Sequence, residues 1–123
     1  MPELMTKQEV AKELLKPYFD DPSLCSTSED EGECVYNGPG GRMSAFARAC
    51  TPEGREKLTE VGDPPYVILD DLGSDILQEK YRHIEDQYFW SRLEKAHDEL
   101  ATGSEWHASD LYGKLTGEKY QRS

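Results

Sequence analysis

Cys34-Val35-Tyr36-Asn37-Gly38-Pro39-Gly40-Gly41-Arg42-Met43-Ser44-Ala45-Phe46-Ala47-Arg48-Ala49-Cys50 is the stretch on which the fold class turns. Cys34-Val35-Tyr36 is a short β-prone run. Asn37 to Gly41 is dense turn chemistry, because Asn and Gly tolerate the positive φ that strains other residues. Met43 to Cys50 is expected to return as a second strand, which gives a short β-hairpin with Tyr36 on one face. Ala45, Phe46 and Ala47 are all apolar and break strict alternation. Together with the helical patterns on either side, this predicts an α+β class: a mainly helical single domain of four to five helices with one β-hairpin near residues 34–50.

Upstream, Thr6 and Glu9 form a T-x-x-E capping box, in which each side chain satisfies a free backbone N–H at a helix start. Val10, Ala11, Leu14, Leu15 and Tyr18 follow on one stripe, and Pro17 is expected to end or bend that helix near Lys16. Residues 20–33 are acidic and Ser-rich, broken by Pro22 and Gly32, and read as a mobile loop.

Downstream, Thr51-Pro52-Glu53 is a strong helix start for a brief helix stopping at Gly62. Tyr66 to Leu69 reads as a strand or a buried link. Ser74 is expected to cap a helix carrying Ile76, Leu77, Tyr81 and Ile84. Asp86 caps the next, with Phe89, Leu93, Ala96, His97 and Leu100 on its stripe and Gly103 as its stop. A last short helix is expected from Ser109 with Leu111 and Leu115. The single domain spans 1–116, and 117–123 reads as a frayed tail.

Charge is the other informative feature. The chain carries a net charge of -11 on 123 residues. Asp20, Asp21, Glu29, Asp30, Glu31 and Glu33 form one block without Lys or Arg. Glu60, Asp63, Asp70, Asp71, Asp75 and Glu79 form another, and Arg42, Arg48, Arg55 and Lys57 lie between them. Such a surface repels nucleic acid and anionic membrane and attracts basic protein over a Debye length of roughly 8–10 Å. No stretch has the roughly 20 apolar residues of a membrane span, and Met1 to Val10 lacks the features of a signal peptide. The expected compartment is the cytosol. Cys25, Cys34 and Cys50 make a poor disulfide framework and are expected to be reduced and at least partly buried.

Catalytic chemistry finds little purchase. His83, His97 and His107 lack i, i+4 spacing and no Cys-x-x-Cys exists, so neither a metal site nor a cofactor is expected. No Cys–His or carboxylate pair stands out from the rest, so no catalytic residue is named and the chain is read as no enzyme. Gly38-Pro39-Gly40-Gly41 lacks the Gly-Lys-Ser/Thr end of a phosphate loop and reads as a tight turn. Arg42 beside it reads as a solvated charge or an internal partner for the acidic loop. Trp90, on an apolar stripe, is a core residue. Trp106, between Glu105 and His107, is either an exposed binding anchor or packs on the first helix. The residues expected to bind a partner are Glu29, Asp30, Glu31, Glu33, Asp70, Asp71 and Asp75, with Tyr36 and Trp106 as anchors.

The run Cys34 to Ala45 resembles the hairpin of a family of small phage and prophage proteins carrying a Cys-x-Tyr-Arg-Gly-Pro-x-Gly segment. In that family a helix precedes the hairpin and a leucine-rich helix with a Trp-x-x-x-Leu element follows; Ile76 to Ala101, with Trp90 and Leu93, is similar in kind. Asn37, Ser44 and Ala47 stand where the family has Arg, Cys and Gly, so a pairing or metal role for two hairpin cysteines is absent here. The resemblance implies phage origin and an α+β build. With the charge layout it leads to the expectation of an anti-CRISPR or similar anti-defence inhibitor in a bacterial host cytosol. Such a protein would bind, stoichiometrically and by charge mimicry, a host protein with a basic nucleic-acid-binding surface. It would touch neither nucleic acid nor membrane directly, and a homodimer is left open. The alternative is a phage accessory or structural protein that forms a homo-oligomer.

Overall fold

The computed structural model describes residues 4–27, 35–61 and 64–117. Among these are six α-helices: α1 (Lys7–Asp20), α2 (Ala45–Ala49), α3 (Pro52–Val61), α4 (Pro65–Leu72), α5 (Gln87–Ala101) and α6 (Glu105–Thr116). The long helices α1, α5 and α6 pack on one another, α2 lies across α1 and α5, and α4 rests on α5. Trp90 of α5 is fully buried at the centre, with the rings of Phe46, Tyr81 and Phe89 within 6.1 Å of it. Its indole N–H donates to the Ile84 carbonyl at 3.0 Å, so the core has its large aromatic and no orphaned donor on it.

The expected β-hairpin is not formed: no strand occurs among the described residues, and the chain is helical rather than α+β. The turn itself is present. Gly40 and Gly41 adopt φ of 72° and 78°, the Gly38 N–H meets the Arg42 carbonyl at 2.8 Å, and one antiparallel bridge joins Asn37 to Met43. Helix α2 comes directly after this turn, in the place of the expected second strand. The Ser44 hydroxyl accepts the Ala47 N–H at 3.2 Å as an N-cap, and Ala45, Phe46, Ala47 and Ala49 are all buried. A strand exposes alternate residues, so three buried neighbours in a row require a helix or a two-sided sheet. The broken alternation was the decisive signal.

Three further expectations change. Helix α1 runs through Pro17 to Asp20. An internal proline costs about 3 kcal/mol, but Tyr18 and Phe19 beyond it are buried, and each such side chain stabilises by roughly 1.5–3 kcal/mol. The Arg48 guanidinium also donates to the Leu14 carbonyl at 3.0 Å, one turn before the proline ring. Tyr66 to Leu69 belongs to helix α4 and is neither strand nor link. The Ser74 segment is no α-helix: two 3-10 turns, Ser74–Ile76 and Glu79–Tyr81, flank Leu77, which bridges to Cys50. All four of its apolar residues are nonetheless buried.

The caps expected at Thr6, Thr51 and Asp86 are realised, and the one expected at Ser74 is not. Thr6 and Glu9 exchange hydrogen bonds at 3.0 and 3.1 Å, Thr51 accepts the Gly54 N–H at 3.0 Å, and Asp86 accepts from Tyr88 and Phe89. Helix α3 ends at Val61, and Gly62 lies outside the described residues. Helix α6 begins four residues before the expected Ser109, and Trp90 is in the core as expected. The thiols of Cys25 and Cys50 are free and buried, and burial pushes the Cys50 thiol up to about 12. Cys34 lies outside the described residues.

Gly54 is fixed by contact. A Cβ there would stand 2.4 Å from the Ile76 carbonyl oxygen and 2.9 Å from the Ile76 Cβ. The first turn of α3 thus lies directly on the Ser74–Ile76 turn, and only a glycine allows it.

Candidate functional site

Helix α4 opens on Pro65, whose missing N–H costs nothing at the first helical position, and closes on Gly73 at φ 78°. Its last turn holds Asp70 and Asp71 and no base. Both are exposed, and neither makes an ion pair or side-chain hydrogen bond among the described residues. The free carbonyls of a helix C-terminus carry partial negative charge, so each exposed acid there costs about 0.3–1 kcal/mol. The double variant Asp70→Asn/Asp71→Asn is therefore expected to be more stable than the native chain by roughly 1 kcal/mol, a rise of a few degrees in a thermal melt. An unchanged or lowered midpoint would mean that these carboxylates have stabilising partners.

Around these acids the surface continues. Asp75, in the Ser74–Ile76 turn, is exposed, and its carbonyl accepts from Arg82 at 3.2 Å. A cleft of 150 Å³ between the end of α4 and the start of α5 is lined by Leu69, Ser74, Ile84, Glu85 and Gln87. Tyr66 of α4 and Tyr88 of α5, the latter directly after Gln87 in the chain, stack at 6.3 Å and 19°, 44% and 68% exposed. The Tyr66 N–H donates to the Ser91 hydroxyl at 2.9 Å, which ties the two helix starts together.

Among the described residues no cation pairs with the carboxylates of Asp70, Asp71 or Asp75, and the exposed Arg82 meets only the carbonyl of Asp75 on this face. Arg48 donates to Leu14 and lies 5.4 Å over the Tyr18 ring, while Arg55 donates to the carbonyls of Ala47 and Cys50. Arg82 donates to Leu77 and Asp75, again through main-chain oxygens. These guanidinium groups fasten turns of the chain together. The ion-paired lysines Lys7, Lys16, Lys80 and Lys114 meet Asp86, Asp20, Glu13 and Asp110 on solvated flanks. Of the cations between the acidic blocks, Arg42 and Lys57 are exposed, and Arg48 and Arg55 are half-buried.

The structure brings together only part of the expected site. Asp70, Asp71 and Asp75 share the face just described. Glu29, Asp30, Glu31 and Glu33 lie outside the described residues. Tyr36 is half-buried with its ring 6.1 Å from Phe46, a packing position at the edge of the core. Trp106 is 76% exposed, with the ring of His107 at 5.1 Å, so it does not pack on α1.

A second cluster is internal. Glu94, His97 and Asp98, at i, i+3 and i+4 of α5, hold their donor atoms within 4.8 Å of one another, a grouping that could take a metal ion. Each donor is already engaged by protein. Glu94 accepts the Phe46 N–H at 3.0 Å and hydrogen-bonds Ser44. His97 Nε2 accepts the Ser26 N–H at 3.0 Å, its Nδ1 faces Asp98 Oδ1 at 2.9 Å, and Cys25 bonds the same ring. Burial, then the charge of Asp98, push the Glu94 carboxyl up to about 7 against the pull of His97, Ser44 and Phe46. For His97, burial opposes a second proton, while Asp98, Cys25 and Glu94 favour one and prevail. The ring accepts the Ser26 N–H at Nε2 only with its proton on Nδ1, so a second proton on the ring would have to displace that contact. The arrangement is a closed polar network that clamps the Cys25–Ser26 segment and the start of α2 onto α5.

No family profile, curated protein or solved structure matches this chain. The surface therefore stands on its own geometry. Sequence reasoning missed Tyr66, Tyr88, Glu85 and Glu94. The tyrosines, 22 positions apart, meet through α4–α5 packing and leave no pattern in the chain. Glu94 was legible: it lies between Trp90 and His97 at helical spacing, a carboxylate on an apolar stripe.

Proposed function

We propose that this chain is a non-enzymatic, phage-encoded inhibitor that blocks a host defence complex stoichiometrically. It presents carboxylates to a basic surface that otherwise holds nucleic acid. The observation that carries the reading is the pair Asp70–Asp71, exposed, without an ion pair among the described residues and set against the helix dipole. The half-buried Arg48 and Arg55, which donate to main-chain carbonyls of other segments, support it. Phage origin is supported by the resemblance of the segment Cys34 to Ala45 to the phage and prophage family. None of the helices is long and apolar enough to cross a membrane, and the proposed place of action is inside the host cell.

A partner bound in this way dissociates as salt rises, because its attraction is screened. Co-purification from a host with active defence systems is expected to return a nucleic-acid-binding defence protein. The triple variant Asp70→Lys/Asp71→Lys/Asp75→Lys is expected to lower its recovery at least tenfold, while reversing three acids elsewhere has a smaller effect. Equal recovery with both variants, or no basic partner at all, removes the reading. The exposed Trp106 favours the second reading, an accessory protein that assembles with copies of itself. A mass that grows with concentration in light scattering, with Trp106 emission shifting to the blue, would establish that one instead.

A further inference from the structure

We infer that the cleft between α4 and α5 is a receptor for one arginine side chain of the partner. This rests on the reading of the chain as a binder of basic protein and names the contact at its centre. The cleft's 150 Å³ equals the share of about five waters, or one extended side chain. Leu69 and Ile84 give apolar walls for an aliphatic stem, and the Glu85 carboxylate, Gln87 amide and Ser74 hydroxyl supply acceptors for its head.

The surrounding charge fits a cation. Leu69 lies in the negative, C-terminal turn of α4, and Asp70 and Asp75 adjoin the lining residues in the chain. The opposite wall contains the start of α5, whose positive end would disfavour a cation. That end is already answered: the Asp86 carboxylate accepts the Tyr88 and Phe89 N–H groups and is paired in turn with the Lys7 ammonium at 3.0 Å.

The neighbouring tyrosines distinguish arginine from lysine. Tyr88 follows Gln87 in the chain, and Tyr66 is one turn before Leu69 and Asp70 on α4. Their stacked rings, 44% and 68% exposed, leave aromatic surface open on the residue that follows Gln87. A planar guanidinium stacks on such a face while its N–H groups reach a carboxylate in plane, whereas a compact, strongly hydrated ammonium gains less from either.

The test uses the full-length chain and three probes: Nα-acetyl-arginine amide, Nα-acetyl-lysine amide and Nα-acetyl-citrulline amide, followed by amide shifts in NMR. The arginine probe is expected to give saturable shifts centred on Leu69, Ser74 and Ile84–Tyr88. Citrulline, which keeps the shape and loses the charge, is expected to give none there. Glu85→Gln and Tyr88→Ala, both at exposed positions, are each expected to weaken arginine binding at least fivefold with the rest of the spectrum unchanged. Equal response to lysine and arginine, shifts spread over every acidic surface, or binding that persists in Glu85→Gln would overturn the assignment. The two readings fail separately. If a basic partner is captured with full strength by Glu85→Gln, the arginine receptor is wrong and the inhibitor reading stands. If arginine seats here and no basic partner is ever captured, the reverse holds.

Discussion

Replacing Gly54 by alanine is expected to destabilise the protein by roughly 1–3 kcal/mol, the range for forcing an extra carbon into a closed contact. The new Cβ would lie 2.4 Å from the Ile76 carbonyl oxygen. That oxygen is held in place, since it accepts the Thr51 N–H at 2.8 Å and stands 3.4 Å from the Thr51 hydroxyl. Relief therefore requires α3 to lift from the Ser74–Ile76 turn or these bonds to lengthen. Helix propensity argues the other way, because alanine is favoured over glycine in a helix by up to about 1 kcal/mol. The two effects have opposite signs, which makes the measurement sharp. Urea denaturation that finds Gly54→Ala neutral or more stable would show that the two segments do not touch so closely.

Glu94→Gln has the other large effect, and its signature is a pH profile. The Glu94 carboxyl ionises near 4.5 in the unfolded chain and near 7 in the folded one, raised by burial and by Asp98. Between those values the folded state retains a proton that the unfolded state has released, so stability from this group is full below pH 4.5 and falls as pH rises. Above about pH 7 the loss is complete, and at 1.36 kcal/mol per pH unit it amounts to roughly 3 kcal/mol. Glutamine keeps an acceptor for the Phe46 N–H and carries no charge. The stability of the variant relative to the native chain is thus expected to be near zero at about pH 4.5 and to grow through about pH 7. Denaturation midpoints taken at unit intervals from about pH 5 to about pH 8 check this. A difference that does not vary with pH would mean that Glu94 titrates as an ordinary surface acid does.

How much of this was readable in the chain depends on whether a signal was local. The starts at Thr6, Thr51 and Asp86 were legible because a cap is a contact within three residues. The start of α6 was not, because Ser104 makes no side-chain cap bond and leaves only a preceding glycine as a marker. Pro17 does not end the helix, because the cost of one missing hydrogen bond is local while the burial of Tyr18 and Phe19 that exceeds it is tertiary. Ile76, Leu77, Tyr81 and Ile84 imitate a helical stripe, yet Leu77 is drawn out of any helix by its bridge to Cys50. The segment after Gly41 matters most for the fold class. A capped run of small residues passes for a strand when a glycine turn precedes it.

For the site, charge was legible and assembly was not. Asp70, Asp71 and Asp75 could be marked from a cation-free stretch. Nothing in the chain showed that Glu85 would line a cleft with Leu69 and Ser74, or that Tyr66 and Tyr88 would stack. The histidines were tested only against one another. His97 in fact finds Asp98 next to it in sequence and Glu94 one turn back, on the stripe that marked it as buried.

The way the arginines are used has a further consequence. A guanidinium fastened to main-chain oxygens keeps its charge but is spent as a hydrogen-bond partner for an approaching carboxylate, and a net charge of -11 acts between copies. Molecules of this protein meet as colloidal particles of one sign. Crowding alone will not bring them together, and any assembly of copies must first recruit counterions to the seam.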